Sequence, residues 1–303
     1  MVESPYNDGR AGIDTDLVRR LIATQFPQWS DLPVRPVEVD GWDNRTYRLG
    51  DEMTVRLPTA EWYVPAVAKE DRWLPVLAPE LPLPIPVPLA KGEPGEGYPY
   101  HWSVRRWLDG ETASLDRIGD LPGFAVSVAE FILALQRVDT TDGPPAGAHS
   151  FYRGAPPAHY DDETRRSLRA LTGRIDTDRA TAVWDAALKN TWDRPPLWFH
   201  GDIAHGNLLL RNGQLAAVLD FGTSGVGDPA CDLVIAWTLF TGESREVFRA
   251  AVAQDPGTWA RARGWALWKA LIGLAADIDS DEENAAVNRR VIDAVLADHD
   301  RAG

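Results

Sequence analysis

Cysteine is nearly absent. Cys231 is the single one in 303 residues, which excludes an internal disulfide and reads as a reducing, cytoplasmic setting. Positive charge is also short, with 31 Lys and Arg against 45 Asp and Glu, a net charge of −14. A surface of that sign repels phosphate backbones and excludes nucleic acid as a partner. No apolar run approaches the roughly 20 residues of a membrane helix, so no membrane partner is expected. Met1 to Arg10 is polar and holds no signal-peptide core. Internal repeats are lacking too, and oligomeric state leaves no trace in the sequence. What remains is 44% hydrophobic and 25% charged, the composition of a soluble globular protein. Its length suffices for two lobes with substantial cores.

The first third is strand-rich. Val34 to Val39, Arg45 to Leu49 and Met53 to Leu57 partly alternate, with turn signals at Asp40-Gly41 and Gly50-Asp51. A helix is expected from about Val64, with Pro65 in its first turn and Pro75 kinking or ending it. Prolines at 79, 82, 84, 86 and 88 exclude an interior helix and predict an extended edge segment. Tyr98 to Leu108 reads as a further strand. Beyond Gly110 the pattern turns helical, with Phe124, Val128, Phe131, Leu135 and Val138 at helical spacing. A polar loop follows from Thr140 to Ala158. Helices are expected over Tyr160 to Leu171, Arg179 to Lys189 and most of Ala230 to Asp298, interrupted by a β segment from Leu197 to Phe221. Strands gathered first and helices after argue an α+β fold with two lobes, divided as 1–107 and 108–303.

The chemistry concentrates in Phe199-His200-Gly201-Asp202-Ile203-Ala204-His205-Gly206-Asn207 and Leu219-Asp220-Phe221-Gly222. An Asp, four residues, an Asn, then Asp-Phe-Gly has the spacing of a kinase catalytic loop and its metal motif. Asn212-Gly213 is a strong two-residue hairpin signal. If Arg211 pairs with Gln214, Asn207 faces Val218, and Asn207 and Asp220 become diagonal neighbours on one face. That diagonal is roughly 7–8 Å, short enough for both to reach one cation. Magnesium suits such a pair, because it keeps waters and takes phosphate oxygens. Asp202 precedes the hairpin and is the candidate base for an acceptor hydroxyl. A rival use of the same stretch is zinc hydrolysis through His200, Asp202, His205 and Asp220, which leaves Asn207 and the Phe-Gly pair without a role.

The run from His200 to Gly227-Asp228-Pro229-Ala230-Cys231-Asp232-Leu233 resembles the signature of the aminoglycoside phosphotransferase and choline-kinase-like family, within the protein-kinase-like superfamily. The resemblance implies a bilobal fold, a β-rich nucleotide-binding N-terminal lobe and a mainly helical C-terminal lobe for catalysis and acceptor binding. It implies ATP and Mg²⁺ as cofactors and a small-molecule hydroxyl as acceptor. It also implies that Asp232 anchors the catalytic loop. The hinge candidate is Arg105 to Gly110, where backbone groups of Arg106 and Leu108 would meet the adenine edge.

Kinases hold the α- and β-phosphates with a strand cation braced by a helix carboxylate. Val67, Glu70, Leu74 and Leu77 share one helical stripe, so Glu70 stands at a core position and wants a cationic partner. Arg56 stands where the family usually shows lysine, and its planar fork will not place charge identically. Asp40 to Asn44 fills the place of the phosphate-covering loop with one glycine, and Asn44 is its candidate donor.

An aminoglycoside or other amine-bearing antibiotic is the leading acceptor, which would make the chain a resistance enzyme. A macrolide, sugar or choline-like acceptor, or a weakly catalytic nucleotide-binding module, are the alternatives. Asp161-Asp162-Glu163 and the acids from Asp277 to Glu283 are candidate recognisers of a cationic acceptor. No Ala-Pro-Glu segment follows Asp220, which disfavours protein substrates.

Overall fold

The computed structural model describes residues 12–302 apart from Val39 and Trp42. The expectations for the N-terminal segment, for the end of the first strand and for Trp42 in the 40–44 turn lie outside those residues. The chain divides into two compact units, Met1–Gly110 with Ala217–Gly222, and Glu111–Ala216 with Thr223–Gly303. Among the described residues, no helix is long and apolar enough to cross a membrane.

The first unit is built on five antiparallel strands, β1 (Val34–Pro36), β2 (Asn44–Leu49), β3 (Met53–Pro58), β4 (Pro88–Gly92) and β5 (Trp102–Arg106), in the order β1-β2-β3-β5-β4. Helix α1 (Thr15–Gln25) starts where Asp14 Oδ1 accepts the Leu17 N–H at 2.8 Å, a side-chain cap that satisfies one orphan donor. Its Leu17, Val18, Leu21 and Ile22 are buried with Tyr47, Val55, Leu57 and Trp102 of the sheet. Helix α2 (Val64–Leu77) carries the expected stripe, and Val67, Glu70, Leu74 and Leu77 are all buried. Pro75 neither ends nor shortens it. The helix runs on to Leu77, because a proline in the last turn forfeits a single backbone bond. The proline-rich stretch leads into β4, an edge strand that starts at Pro88 and has an irregular register between Pro88 and Ala90. An edge is where a residue without an N–H is tolerated.

The second unit is mainly helical. Its short strands are β6 (Glu111–Thr112), β7 (Leu197–Phe199), β8 (Leu208–Arg211), β9 (Gln214–Val218), which ends in the first unit, and β10 (Gly225–Gly227). They pair as β6-β8-β9 and β7-β10. Asn212 and Gly213 have φ of 53° and 75°, the double positive φ of the expected two-residue turn. The helices are α3 (Leu121–Arg137), α4 (Asp161–Ala170), α5 (Thr177–Lys189), α6 (Ile235–Thr238), α7 (Gly242–Val252), α8 (Pro256–Asp277) and α9 (Glu282–Ala302). Helix α8 packs on α4, α5 and α9. Trp259, Trp265 and Trp268 are buried along it.

The sheet of the first unit is tightly closed at Gly92. A Cβ there would lie 1.9 Å from the Trp102 ring, and that ring is fully buried. Gly92→Ala is therefore expected to destabilise the protein by about 1–3 kcal/mol, the usual cost of overpacking. Chemical denaturation of the two proteins side by side measures it.

Candidate active site

In the first unit, β3, α2 and the segment after β9 bring together the predicted Arg56, Glu70 and Asp220. Arg56 stands among three carboxylates: Nη2 is 3.7 Å from Asp43, Nη1 is 3.8 Å from Glu70, and Nη2 is 4.0 Å from Asp220. Burial works against its charge, but Glu70, Asp43 and Asp220 outweigh it and hold the guanidinium firmly ionised. These separations are ion-pair contacts rather than hydrogen bonds. The hydrogen-bonded partner of Glu70 is a residue the sequence reading passed over. Arg105 Nη2 donates to Glu70 Oε2 at 2.7 Å, with both side chains buried on β5 and α2. Glu70 Oε1 has no hydrogen-bond partner among the described residues. The expected Arg56–Glu70 ion pair is present, and Arg105 adds the hydrogen bond that Arg56 does not make.

Lys69 was also missed. It is buried beside Glu70, and its Nζ donates to the Gly222 carbonyl at 2.6 Å. Burial pulls its pKa down to about 8, against the opposing charges of Glu70 and Asp220. Asp220 takes φ 62°, and its Oδ1 accepts the Gly222 N–H at 3.4 Å. Asn44 is buried at the start of β2, with Pro58 opposite. The turn before it is organised by Asp40, whose Oδ1 accepts the Thr46 N–H at 3.0 Å and whose Oδ2 accepts from Arg45 at 2.9 Å. At the hinge candidate, the Arg106 N–H donates to the Val87 carbonyl at 3.3 Å, while Leu108 enters no backbone hydrogen bond among the described residues.

The second unit holds Asp202 and Asn207. Asp232 is completely buried and accepts the N–H groups of His200, at 2.8 Å, and Gly201, at 2.7 Å. This is the loop anchor that the sequence resemblance implies. Burial pushes the Asp232 carboxyl up to about 7, against the pull of those two donors. His200 is turned inward and its Nδ1 accepts the Asp202 N–H at 3.2 Å. The Asp202 side chain remains about a third exposed, at 32%. Lys269 Nζ donates to its Oδ1 at 2.9 Å, and Asn207 Nδ2 donates to its Oδ2 and to its backbone carbonyl, each at 3.0 Å. Burial opposes ionisation of Asp202, but Lys269, His200 and Arg153 outweigh it and keep the carboxyl below its ordinary range. A carboxylate offers about four lone-pair sites, so two donors leave room for a third.

The hairpin-face argument for Asn207 and Asp220 requires correction. Asn207 closes a 3₁₀ turn ahead of β8, and Asp220 lies beyond the end of β9 with a left-handed backbone. Neither belongs to a strand, so sheet alternation does not decide where they point. The amide nitrogen of Asn207 is committed to Asp202, which leaves its Oδ1 as an oxygen donor of the kind magnesium takes, and the Asp220 carboxylate is by itself a donor of the same kind. No group of three His, Cys, Asp or Glu side chains placed to hold a metal occurs among the described residues.

The model of the phosphotransferase enzyme family matches residues 34–265. The chain belongs to this family. Solved phosphotransferases share its fold. Aminoglycoside 2'-phosphotransferase-IIIa in complex with GDP is similar at a TM-score of 0.70 and 16% identity, over 95% of this chain and 100% of that one. Its complex with GDP and kanamycin gives 0.69 and 17%, over 93% and 98%. Macrolide 2'-phosphotransferase from Brachybacterium faecium gives 0.61 and 22%, over 93% and 97%. No curated protein matches the chain by sequence. At these identities the structural likeness carries the fold, an antiparallel sheet followed by a helical region, and the family match carries the phosphotransferase class.

The charge network of the first unit makes a prediction. Burial alone would raise the Glu70 pKa, but Arg105 and then Arg56 bring it down to about 2 from an ordinary 4.5. A depressed carboxylate pKa contributes stability that is present above the unfolded value and lost as pH falls through the folded one. Glu70→Gln should therefore cost about 3–5 kcal/mol at neutral pH, the usual result of stripping one partner from a buried pair. The gap between the two proteins should narrow between pH 4.5 and 2, read by denaturant titration at a series of pH values.

Proposed function

We propose that this phosphotransferase moves the γ-phosphoryl group of ATP to a hydroxyl of a small molecule, with Asp202 as the base. The observation that carries the reading is the state of Asp202, a carboxylate kept ionised and partly exposed on a loop clamped from beneath by Asp232. In the reaction the acceptor oxygen forms a bond to the γ-phosphorus. The bond from that phosphorus to the β–γ bridging oxygen breaks, ADP leaves, and the hydroxyl proton passes to Asp202. Asn207 Oδ1 and the Asp220 carboxylate would hold magnesium, which supplies charge neutralisation to the phosphates when bound. Arg56 supplies permanent positive charge in the first unit, and Lys69 an adjustable one. The Arg105–Glu70 pair sits next to Arg56, so Arg56 keeps its place without Glu70 being its sole partner. Arg106 and Leu108 would take the adenine edge through their backbone, and Asn44 would face phosphate from the start of β2. The solved relatives' complexes with GDP and ADP support a nucleotide co-substrate. A cytoplasmic site of action accords with the buried free thiol of Cys231, and a net charge of −14 accords with a small-molecule partner rather than nucleic acid.

For the acceptor, an aminoglycoside is the reading the sequence favours, and relatives with kanamycin or streptomycin bound are in keeping with it. One observation favours the less charged alternatives, a macrolide or a sugar. Three of the acids that would greet a polycation already have hydrogen-bond partners. Asp161 accepts from Arg165 and from Trp184, Glu163 accepts from Trp268, and Asp279 accepts from Arg174.

Asp202→Asn is the test, since it is nearly isosteric and removes the base. Turnover on any accepted hydroxyl compound should fall by about 10²–10⁴, the usual contribution of a positioned base. A panel of hydroxylated antibiotics and metabolites, scored for ATP consumption and for a phosphate adduct by mass spectrometry, supplies the acceptor. Full turnover in the variant would remove Asp202 from the mechanism.

A further inference from the structure

Asp202 stands among cations in the second unit. Lys269 on α8 donates to its Oδ1 at 2.9 Å and is half exposed. Arg153, in the loop before α4, adds a weaker electrostatic pull in favour of the Asp202 charge. The Arg153 guanidinium lies 4.6 Å from the Trp268 ring centroid and 5.6 Å from that of Trp265. Tyr160 stacks on the same Trp268 at 4.1 Å, and Glu163 accepts the Trp268 indole N–H at 2.7 Å. An aromatic platform thus fixes Arg153 in place. Its Nη1 is buried and has no hydrogen-bond partner among the described residues. A buried donor without a partner is costly, and an oxygen acceptor from a ligand would relieve that cost.

A second ammonium group entering here would face the charges of Lys269 and Arg153, while Glu163 already accepts the Trp268 indole N–H. Like charges set against each other at a recognition surface cost enough to reject a partner. A carboxylate, ether or hydroxyl oxygen meets the opposite situation, since both cations are hydrogen-bond donors and accept nothing.

We propose that Lys269 and Arg153 are specificity-determining residues, and that the acceptor of this phosphotransferase is a neutral or anionic hydroxyl compound rather than a polyamine. The inference rests on the reading of Asp202 as the acceptor base. Lys269 also orients the carboxylate through Oδ1, so its effect on acceptor charge must be read by binding rather than by turnover alone.

The test uses the full chain and a matched pair of probes, kanamycin and fully N-acetylated kanamycin, which share hydroxyls and differ in charge. Calorimetric titrations compare the wild-type protein with Lys269→Glu, Lys269→Met and Arg153→Gln. Reversing the charge at 269 should tighten kanamycin binding by about tenfold or more at low salt and less at high salt, as an exposed electrostatic effect does. The Lys269→Met gain should be smaller, and the acetylated probe should respond little to either substitution at 269. Arg153→Gln should also tighten kanamycin binding, and it should weaken the acetylated probe, whose carbonyl and hydroxyl oxygens lose a donor. Kanamycin binding that stays unchanged, undetected or weaker on charge reversal would overturn the proposal. Failure of the Asp202 reading shows itself separately, as full turnover in Asp202→Asn.

Discussion

Asp232 has no exposed surface and spends its carboxylate on two successive backbone N–H groups, those of His200 and Gly201. The position of the residues that follow depends on that grip. This loop is irregular backbone, and irregular backbone holds its shape only when its polar groups are satisfied. With His200 and Gly201 fixed, Asp202 follows with its N–H on His200, and Asn207 closes back on Asp202 through its amide. The helices behind supply rigidity through buried ion pairs. Arg261 holds Asp228 through two hydrogen bonds, at 2.6 and 3.1 Å, and Arg263 and Arg249 share Asp298. Such pairs add little net stability over apolar packing but strongly penalise any arrangement that breaks them.

The first unit follows the same rule with different groups. Its cations and acids alternate around the buried Glu70: Arg105 with Glu70, Arg56 among Asp43, Glu70 and Asp220, and Lys69 on the Gly222 carbonyl. The substitution of arginine for the usual lysine is easier to understand in this setting. A guanidinium stays charged however deeply it is buried, whereas the neighbouring lysine is drawn down to about 8 by burial. The permanent charge therefore sits where three carboxylates surround it, and the adjustable one sits on helix α2.

Local chemistry was what the sequence made legible. Asn212-Gly213 announced its turn because few other residues accept two positive φ angles. Glu70 announced its burial because it interrupts an apolar stripe. The spacing of Asp202, Asn207 and Asp220 announced the phosphotransferase class, which the family match bears out. Partners distant in sequence were not legible. Arg105 and Arg106 are adjacent on one strand, and nothing local says which of them turns to Glu70. Lys69 reads as an ordinary helix charge beside a buried acid, and Lys269 lies 67 positions from Asp202 on a helix whose tryptophans signal packing. The diagonal argument for Asn207 and Asp220 failed for a related reason, since both residues sit just past the strands whose alternation it used.

The central claim is a division of labour, with Asp202 acting on the acceptor and Asp220 on the metal–nucleotide complex. Titrating ATP calorimetrically, with and without magnesium, into the wild-type protein, Asp202→Asn and Asp220→Ala tests it most directly. The account predicts that magnesium tightens ATP binding equally in the wild-type protein and Asp202→Asn, and that the magnesium-dependent gain disappears in Asp220→Ala. A gain that survives in Asp220→Ala, or one that vanishes in Asp202→Asn, would contradict it.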